Sequence, residues 1–219
     1  MKIFFIHHPD QLPAKTFNTY LQQLPIPIQQ KIRRYRRWKD QQAGLWGKLL
    51  LAKALKEFGY DKKLLSHLQY TTYQRPYFPE NMEIKMDFNI THSGFVVACV
   101  VSEKQRIGID VEHIRPIEIH HFTKQFSTIE IQQMYGAQNT ERAFFERWCQ
   151  KEAIIKVDGR GLSIPLPQVL IEGLTAKVED QIFYLQPLQL VDDYASYLAS
   201  TEPIEGFEVQ EMTIEALLF

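Results

Sequence analysis

Two carboxylates stand two residues apart in the stretch Ile107-Gly108-Ile109-Asp110-Val111-Glu112. The stretch alternates strictly, with Ile107, Ile109 and Val111 on one side and Gly108, Asp110 and Glu112 on the other, the pattern of a half-buried β-strand. Asp110 and Glu112 then leave the same face and repel each other unless a cation sits between them. Hard carboxylate oxygens suit Mg²⁺; the bland alternative is an acidic, solvated strand end. A second set of groups lies on a helical pattern over residues 140–157. Trp148, Glu152 and Lys156 are four apart and form one stripe, and Lys151 lies about 100° round from Glu152. Taken alone, Glu152 and Lys156 are an ordinary surface pair worth little. A third set is Asp87-Phe88-Asn89-Ile90-Thr91-His92-Ser93-Gly94, read as a strand entering a polar turn. Thr91, His92 and Ser93 beside a glycine make a grip for a phosphate or carboxylate, the alternative being a hydrogen-bonded turn histidine. Arg75, just before Pro76, is held on stiff backbone that suits anion binding.

The elements that must position these groups follow from periodicity and punctuation. Residues 2–7 form a first strand, which His7-His8 ends; the pair is a poor metal motif. Pro25 and Pro27 precede one long helical pattern over 28–58 that stops at Gly59. Its first part carries Lys31, Arg33, Arg34, Arg36, Arg37 and Lys39 with Tyr35 and Trp38 interleaved. That mixture admits a nucleic-acid face, a solvated face with apolar stems or a site for a small phosphorylated ligand. Residues 45–55 are strongly apolar and cross the core, although Gly44 and Gly47 each weaken the helix by about 1 kcal/mol against alanine. Residues 70–73 make a short strand and 96–101 a longer one. Segment 114–134 contains the capping-box form Ser127-x-x-Glu130, so a helix starts there. Its apolar residues either pack into the core or form a docking surface for a partner helix. Thr140 caps the next helix, which Gly159 and Gly161 end. Runs near 168–171, 181–190, 194–199 and 207–211 read as an antiparallel sheet.

Bulk properties narrow the classes. The chain has 219 residues, 45% hydrophobic and 23% charged, which suits a soluble globular protein with a sizeable core. A formal net charge of −1 selects neither nucleic acid nor an anionic membrane. Two distant cysteines, Cys99 and Cys149, argue for a reducing compartment rather than a disulfide scaffold. The N-terminal apolar run is too short for a signal peptide and no run reaches membrane-spanning length, so cytoplasm is the expected location.

Three segments together resemble the 4′-phosphopantetheinyl transferases: Asn89-Ile90-Thr91-His92-Ser93, Gly108-Ile109-Asp110-Val111-Glu112, and Phe145-x-x-Trp148-x-x-Lys151-Glu152-Ala153-x-x-Lys156 followed by Gly159-x-Gly161-Leu162. Length points to the long, monomeric type that activates nonribosomal peptide and polyketide synthetases, as in surfactin production, not the short fatty-acid type. The resemblance spans about residues 28–166. It implies an α+β fold of two similar halves related by a pseudo-twofold axis, antiparallel sheets packed with long helices, and a ligand cleft between the halves. The division is placed at 1–103 and 104–219. It implies Mg²⁺-dependent transfer of the phosphopantetheine arm of coenzyme A to a serine of an acyl or peptidyl carrier protein, releasing 3′,5′-ADP.

By matching position, Asp110, Glu112 and Glu152 resemble the metal-binding carboxylates, Lys156 the lysine near the pyrophosphate, and His92 a coenzyme A phosphate contact. Lys151 is also placed for phosphate. Arg75 resembles a basic residue at the 3′-phosphate, and Thr91 stands where serine is common. Relatives often carry an arginine shortly before the glycine equivalent to Gly47. Ala43 and Gly44 occupy that region here, and the basic run from Lys31 to Lys39 is the alternative source of 3′-phosphate contacts. Glu152, directly or through a metal-bound water, is the candidate base for the carrier serine. Carrier docking is expected at 114–134, where Arg115 and Lys124 meet acidic carrier helices. Neither nucleic acid nor membrane is an expected partner. Two other readings remain open: a different Mg²⁺-dependent nucleotide-cleaving enzyme on the same strand, and a catalytically silent carrier-binding module.

Overall fold

The structure is a computed structural model that describes residues 1–82 and 84–218. The fold is α+β, and its described residues form two large sheets and a two-stranded one. The first has strand order β11-β1-β5-β4, built from β1 (Lys2–His7), β4 (Asp87–Ser93), β5 (Val96–Ser102) and β11 (Glu208–Glu211). The second has the order β6-β10-β9-β8-β7, from β6 (Ile107–His113), β7 (Leu170–Glu172), β8 (Thr175–Val178), β9 (Gln181–Leu188) and β10 (Tyr194–Ser200). A small hairpin joins β2 (Gln69–Tyr70) to β3 (Pro76–Tyr77). The helices are α1 (Ala14–Leu21), α2 (Ile26–Arg33), α3 (Trp38–Glu57), α4 (Thr128–Gly136) and α5 (Thr140–Asp158).

Alternation decides which core each strand feeds. Phe4, Ile6, Val97, Cys99 and Val101 face α3 and meet Leu45, Trp46, Leu49 and Leu50. Ile3, Phe5, Val96, Ala98 and Val100 point the other way and meet Ile107, Ile109, Val111 and Leu198 of the second sheet. The apolar side of the central stretch therefore becomes the seam between the sheets, at roughly 2 kcal/mol for each large side chain buried. Its other side faces α5.

Several local expectations are corrected. The 28–58 pattern is two helices, α2 and α3, with an extended Arg37 before Trp38. The break lets the Tyr35 ring lie over Gly44, where a Cβ would come within 3.3 Å of it. The basic run is consequently spread over α2, a connector and α3, not along one helical face. Asn139, not Thr140, caps α5, its side chain accepting from Arg142 N–H. The Ser127 capping box forms as read. The run at 207–211 does not join the second sheet; β11 pairs parallel with β1. Chain beyond the 103/104 division thus returns to the first sheet, and Met212 and Leu217 enter its core. The apolar side chains of segment 114–134 mostly pack inward, while most of its polar residues are exposed. Ile119, Phe126 and Met134 are buried against Phe144, Phe145 and Cys149, while Ile129 and Tyr135 stay exposed. Among the described residues no helix is long and apolar enough to cross a membrane.

Candidate functional site

The two sheets meet at their edge strands β4 and β6 without a shared backbone ladder. Side chains do the joining. Ile107 N–H donates to Asp87 Oδ2 at 2.8 Å, Ile109 N–H to Asn89 Oδ1 at 3.0 Å, and His113 N–H to Ser93 Oγ at 3.1 Å. Alternate residues of β4 thereby satisfy outward N–H groups of β6 that an uncovered edge would leave open. The same face carries Thr91, whose hydroxyl donates to Asp110 Oδ1 at 3.0 Å, and Ser93, which donates to Glu112 Oε2 at 2.7 Å.

Gly108 brings α5 onto the other side of β6. A Cβ there would lie 2.2 Å from Ala153 O and 2.7 Å from Val157 N, so only glycine permits this approach. The approach carries the Glu152 and Lys156 stripe to Asp110. Lys156 Nζ donates to Asp110 Oδ1 at 2.5 Å, to Thr91 Oγ1 at 3.0 Å and to Ile109 O at 3.2 Å. Asp110 is 3% exposed, and its Oδ2 is buried with no hydrogen-bond partner among the described residues. A buried carboxylate oxygen normally has a donor or a metal.

The acids feel one another. Burial and then Asp110 push the Glu152 carboxyl up to about 7, Lys156 opposing and Glu112 adding. Burial raises Glu112 as well, the Ser93 hydrogen bond works against that shift, and Asp110 adds to it. The three share one electrostatic neighbourhood, but their oxygens do not all come within 4.8 Å of one another. Lys156 sits on Asp110, and Ser93 on Glu112. The donor set, three carboxylates with an orphaned oxygen among them, fits a hard divalent cation. Among the described residues the ligand atoms that do cluster so closely belong to Glu118, His120 and His121, all on an exposed turn.

β4 is also a partition. Thr91 and Ser93 face the acids, whereas Ile90 and His92 face a hollow of about 190 Å³ lined with Lys31, Tyr35, Gly44, Gly47, Lys48 and Tyr70. The expected joint grip of Thr91, His92 and Ser93 is therefore divided, because neighbouring strand residues leave opposite faces. Lys31 Nζ sits 4.4 Å above the Tyr70 ring. Desolvation and Lys156 lower the His92 pKa. Asp40 and Asp110 work against that shift.

Two expected phosphate contacts lie elsewhere. Lys151 is fully buried and donates to Leu166 O at 2.9 Å, Val169 O at 3.1 Å and Glu130 Oε1 at 2.9 Å. All three N–H bonds are used, so none remains for a phosphate. Arg75 is also buried, donating to Asp87 Oδ2 at 2.7 Å, to Ile107 O at 3.0 Å and to Lys156 O. It ties the β3 end to β4, β6 and α5. In both cases the cation was legible from sequence and its partners, supplied by distant segments, were not. Sequence reasoning also passed over Asp87 and Asn89, whose placement four and two residues before Thr91 on an alternating strand was the available signal.

Comparison with known proteins places the chain in a family. The model of the 4′-phosphopantetheinyl transferase superfamily matches residues 106–198, and that of the N-terminal part of a 4′-phosphopantetheinyl transferase matches residues 12–105. The chain is similar to a 4′-phosphopantetheinyl transferase of Bacillus subtilis, with 33% identity over 170 residues, 76% of this chain and 74% of the relative. It is similar to the transferase Sfp of Bacillus subtilis strain 168, with 30% identity over 171 residues, 76% and 74% of the two chains. It is also similar to the transferase gsp of Aneurinibacillus migulanus, with 30% identity over 174 residues, 78% and 71%. Two models that together match residues 12–198, and relatives matched across three quarters of the chain, show that this protein belongs to the 4′-phosphopantetheinyl transferase superfamily, as an enzyme of the Sfp type.

Proposed function

We propose that the protein moves the 4′-phosphopantetheine arm of coenzyme A onto a serine hydroxyl of an acyl or peptidyl carrier domain, releasing 3′,5′-ADP. The observation that carries this reading is the buried Asp110 Oδ2, unpartnered among the described residues, beside Lys156, Glu112 and Glu152. It lies across one strand from a hollow with Lys31, Tyr70 and His92 in its wall. One compartment suits a pyrophosphate with its counter-ion, the other the nucleotide end of the same molecule.

Asp110, Glu112 and Glu152 would hold Mg²⁺. That ion, when bound, supplies Lewis-acid charge to the pyrophosphate. Lys156, already on Asp110 and Thr91, faces the transferring phosphoryl group and stabilises the charge that builds there. The carrier serine oxygen forms a bond to the phosphorus that bears the pantetheine arm. The bridging bond from that phosphorus to the ADP oxygen breaks, and its electron pair leaves with 3′,5′-ADP. Glu152 takes the serine proton. His92 lines the hollow, and the Lys31–Tyr70 pair offers a cation and a flat face to the nucleotide. Exposed Ile129 and Tyr135 on α4, with Arg115 nearby in sequence, support carrier docking at this segment.

The test mixes the protein with an apo-carrier domain, coenzyme A and Mg²⁺, and weighs the carrier by mass spectrometry. Gain of one phosphopantetheine arm is the expected result. No gain on any acyl or peptidyl carrier offered overturns the reading.

A further inference from the structure

Glu118, His120 and His121 bring a carboxylate oxygen and two imidazole nitrogens within 4.8 Å of one another, the one such group among the described residues. They stand on the exposed turn that precedes α4. The chain closes a short 3-10 turn at Ile119–Phe122, with His121 N–H donating to Glu118 O at 3.1 Å. Residues three apart eclipse in such a turn, which sets Glu118 and His121 on one side. His120 joins them, its ring centroid 4.0 Å from that of His121. Between and beyond these groups, Ile119 is buried, and the Phe122 ring meets Phe144 at 5.2 Å and Trp148 at 5.8 Å. The two apolar side chains anchor the turn to the core, while the three ligating groups stay in solvent, open to an ion.

Distances separate a ligand set from an ion pair. His120 Nε2 and His121 Nε2 both face Glu118 Oε2, at 3.5 and 3.7 Å. Both spacings exceed the roughly 2.7–3.2 Å of an N–H···O hydrogen bond. They come within about 0.4 Å of the ~3.3 Å edge of a tetrahedron centred about 2.0–2.1 Å from each ligand atom, the spacing of Zn²⁺ to imidazole and carboxylate. Solvent-exposed rings turn freely enough to close the remaining edge. The chemistry points the same way. Two imidazoles with one carboxylate suit Zn²⁺ or Cu²⁺, whereas Mg²⁺ takes oxygen ligands. Three protein ligands also leave a fourth position to water.

We propose that Glu118, His120 and His121 form a second metal site, which takes a borderline transition ion such as Zn²⁺ and is separate from the carboxylates assigned to Mg²⁺. The site is built on the turn alone and makes no demand on the transfer reaction. The bland alternative is a solvated pair of imidazoles beside a surface carboxylate, contacts worth little.

The experiment titrates the tag-free protein with Zn²⁺ in excess Mg²⁺ and without substrates, reading affinity by competition with a chromophoric chelator. One Zn²⁺ should bind per chain. His120→Ala, His121→Ala and Glu118→Gln should each weaken it at least tenfold, since loss of a mere supporting partner already weakens a metal site by about 10–100-fold. Asp110→Asn should bind Zn²⁺ as the wild type does. Co²⁺ in place of Zn²⁺ should give visible d–d bands that His120→Ala removes. In the wild type, substoichiometric Cu²⁺ should broaden the ring signals of His120 and His121 ahead of those of His7 and His8, a readout that needs no variant to fold. No Zn²⁺ retained in excess Mg²⁺, equal affinity in both histidine variants, or loss of binding in Asp110→Asn overturns the proposal. Failure of the transfer assay would leave the site standing, because no substrate enters this measurement.

Discussion

Lys156 Nζ lies 2.5 Å from Asp110 Oδ1, while Asp110 Oδ2, also buried, has no hydrogen-bond partner among the described residues. One oxygen of a single carboxylate is neutralised from α5 and the other has no hydrogen-bond partner among the described residues. That division is what a residue needs if it is to orient a lysine and ligate a cation at once. Asp110→Asn keeps the shape and the Thr91 contact but removes the charge. Transfer should fall at least about 100-fold, as for loss of a main electrostatic group, with the circular dichroism spectrum unchanged. Full activity in this variant would show that the strand holds no ion.

Gly108 sets the spacing between β6 and α5. Gly108→Ala drives a methyl into the Ala153 carbonyl and Val157 amide, backbone atoms that cannot rotate away. The expected loss is about 3 kcal/mol, the upper end for overpacking. Urea denaturation measures it, and transfer should be lost in step because Lys156 no longer reaches Asp110.

Asn89 is buried and accepts the Ile109 amide across the sheet junction. In Asn89→Ala that N–H is left unsatisfied, at about 1–3 kcal/mol. Hydrogen exchange should show faster exchange at Ile109 ahead of the β10 side of the same sheet. Uniform exchange through β6 and β10 would mean that the side-chain ladder is not what joins the sheets.

Lys151 and Lys156 lie on one helix, and the structure gives them different work. Lys151→Met strands two carbonyls and Glu130, which should lower stability by about 3 kcal/mol and leave KM for coenzyme A unchanged. A raised KM with normal stability would return Lys151 to the phosphate.

Both cysteines are free and buried. Burial pushes the Cys99 thiol up to about 12 and Cys149 well above its ordinary value. A raised thiol pKa keeps the proton on at neutral and mildly alkaline pH, so little thiolate forms. The native protein should therefore resist a thiol-reactive chromophore, and two equivalents should react once urea unfolds it.

Much of the site was legible in the chain because its information is local. Strand alternation alone put Asp110 and Glu112 on one face, and helical spacing alone put Trp148, Glu152 and Lys156 on one stripe. The Ser127 capping box and the apolar 45–55 run are likewise short-range signals. What residues along one element share is set by its period, and the sequence carries that period openly. What a cation or an N–H finally meets is set by which surfaces pack together, and no local pattern states it. Lys151 reads like Lys156 until α4 and the 164–169 segment close over it. Arg75 reads as an anion site until Asp87 and two carbonyls arrive from β4, β6 and α5. Residue type and spacing determined the chemistry this protein could perform, and long-range packing decided which of its charges were left free to perform it.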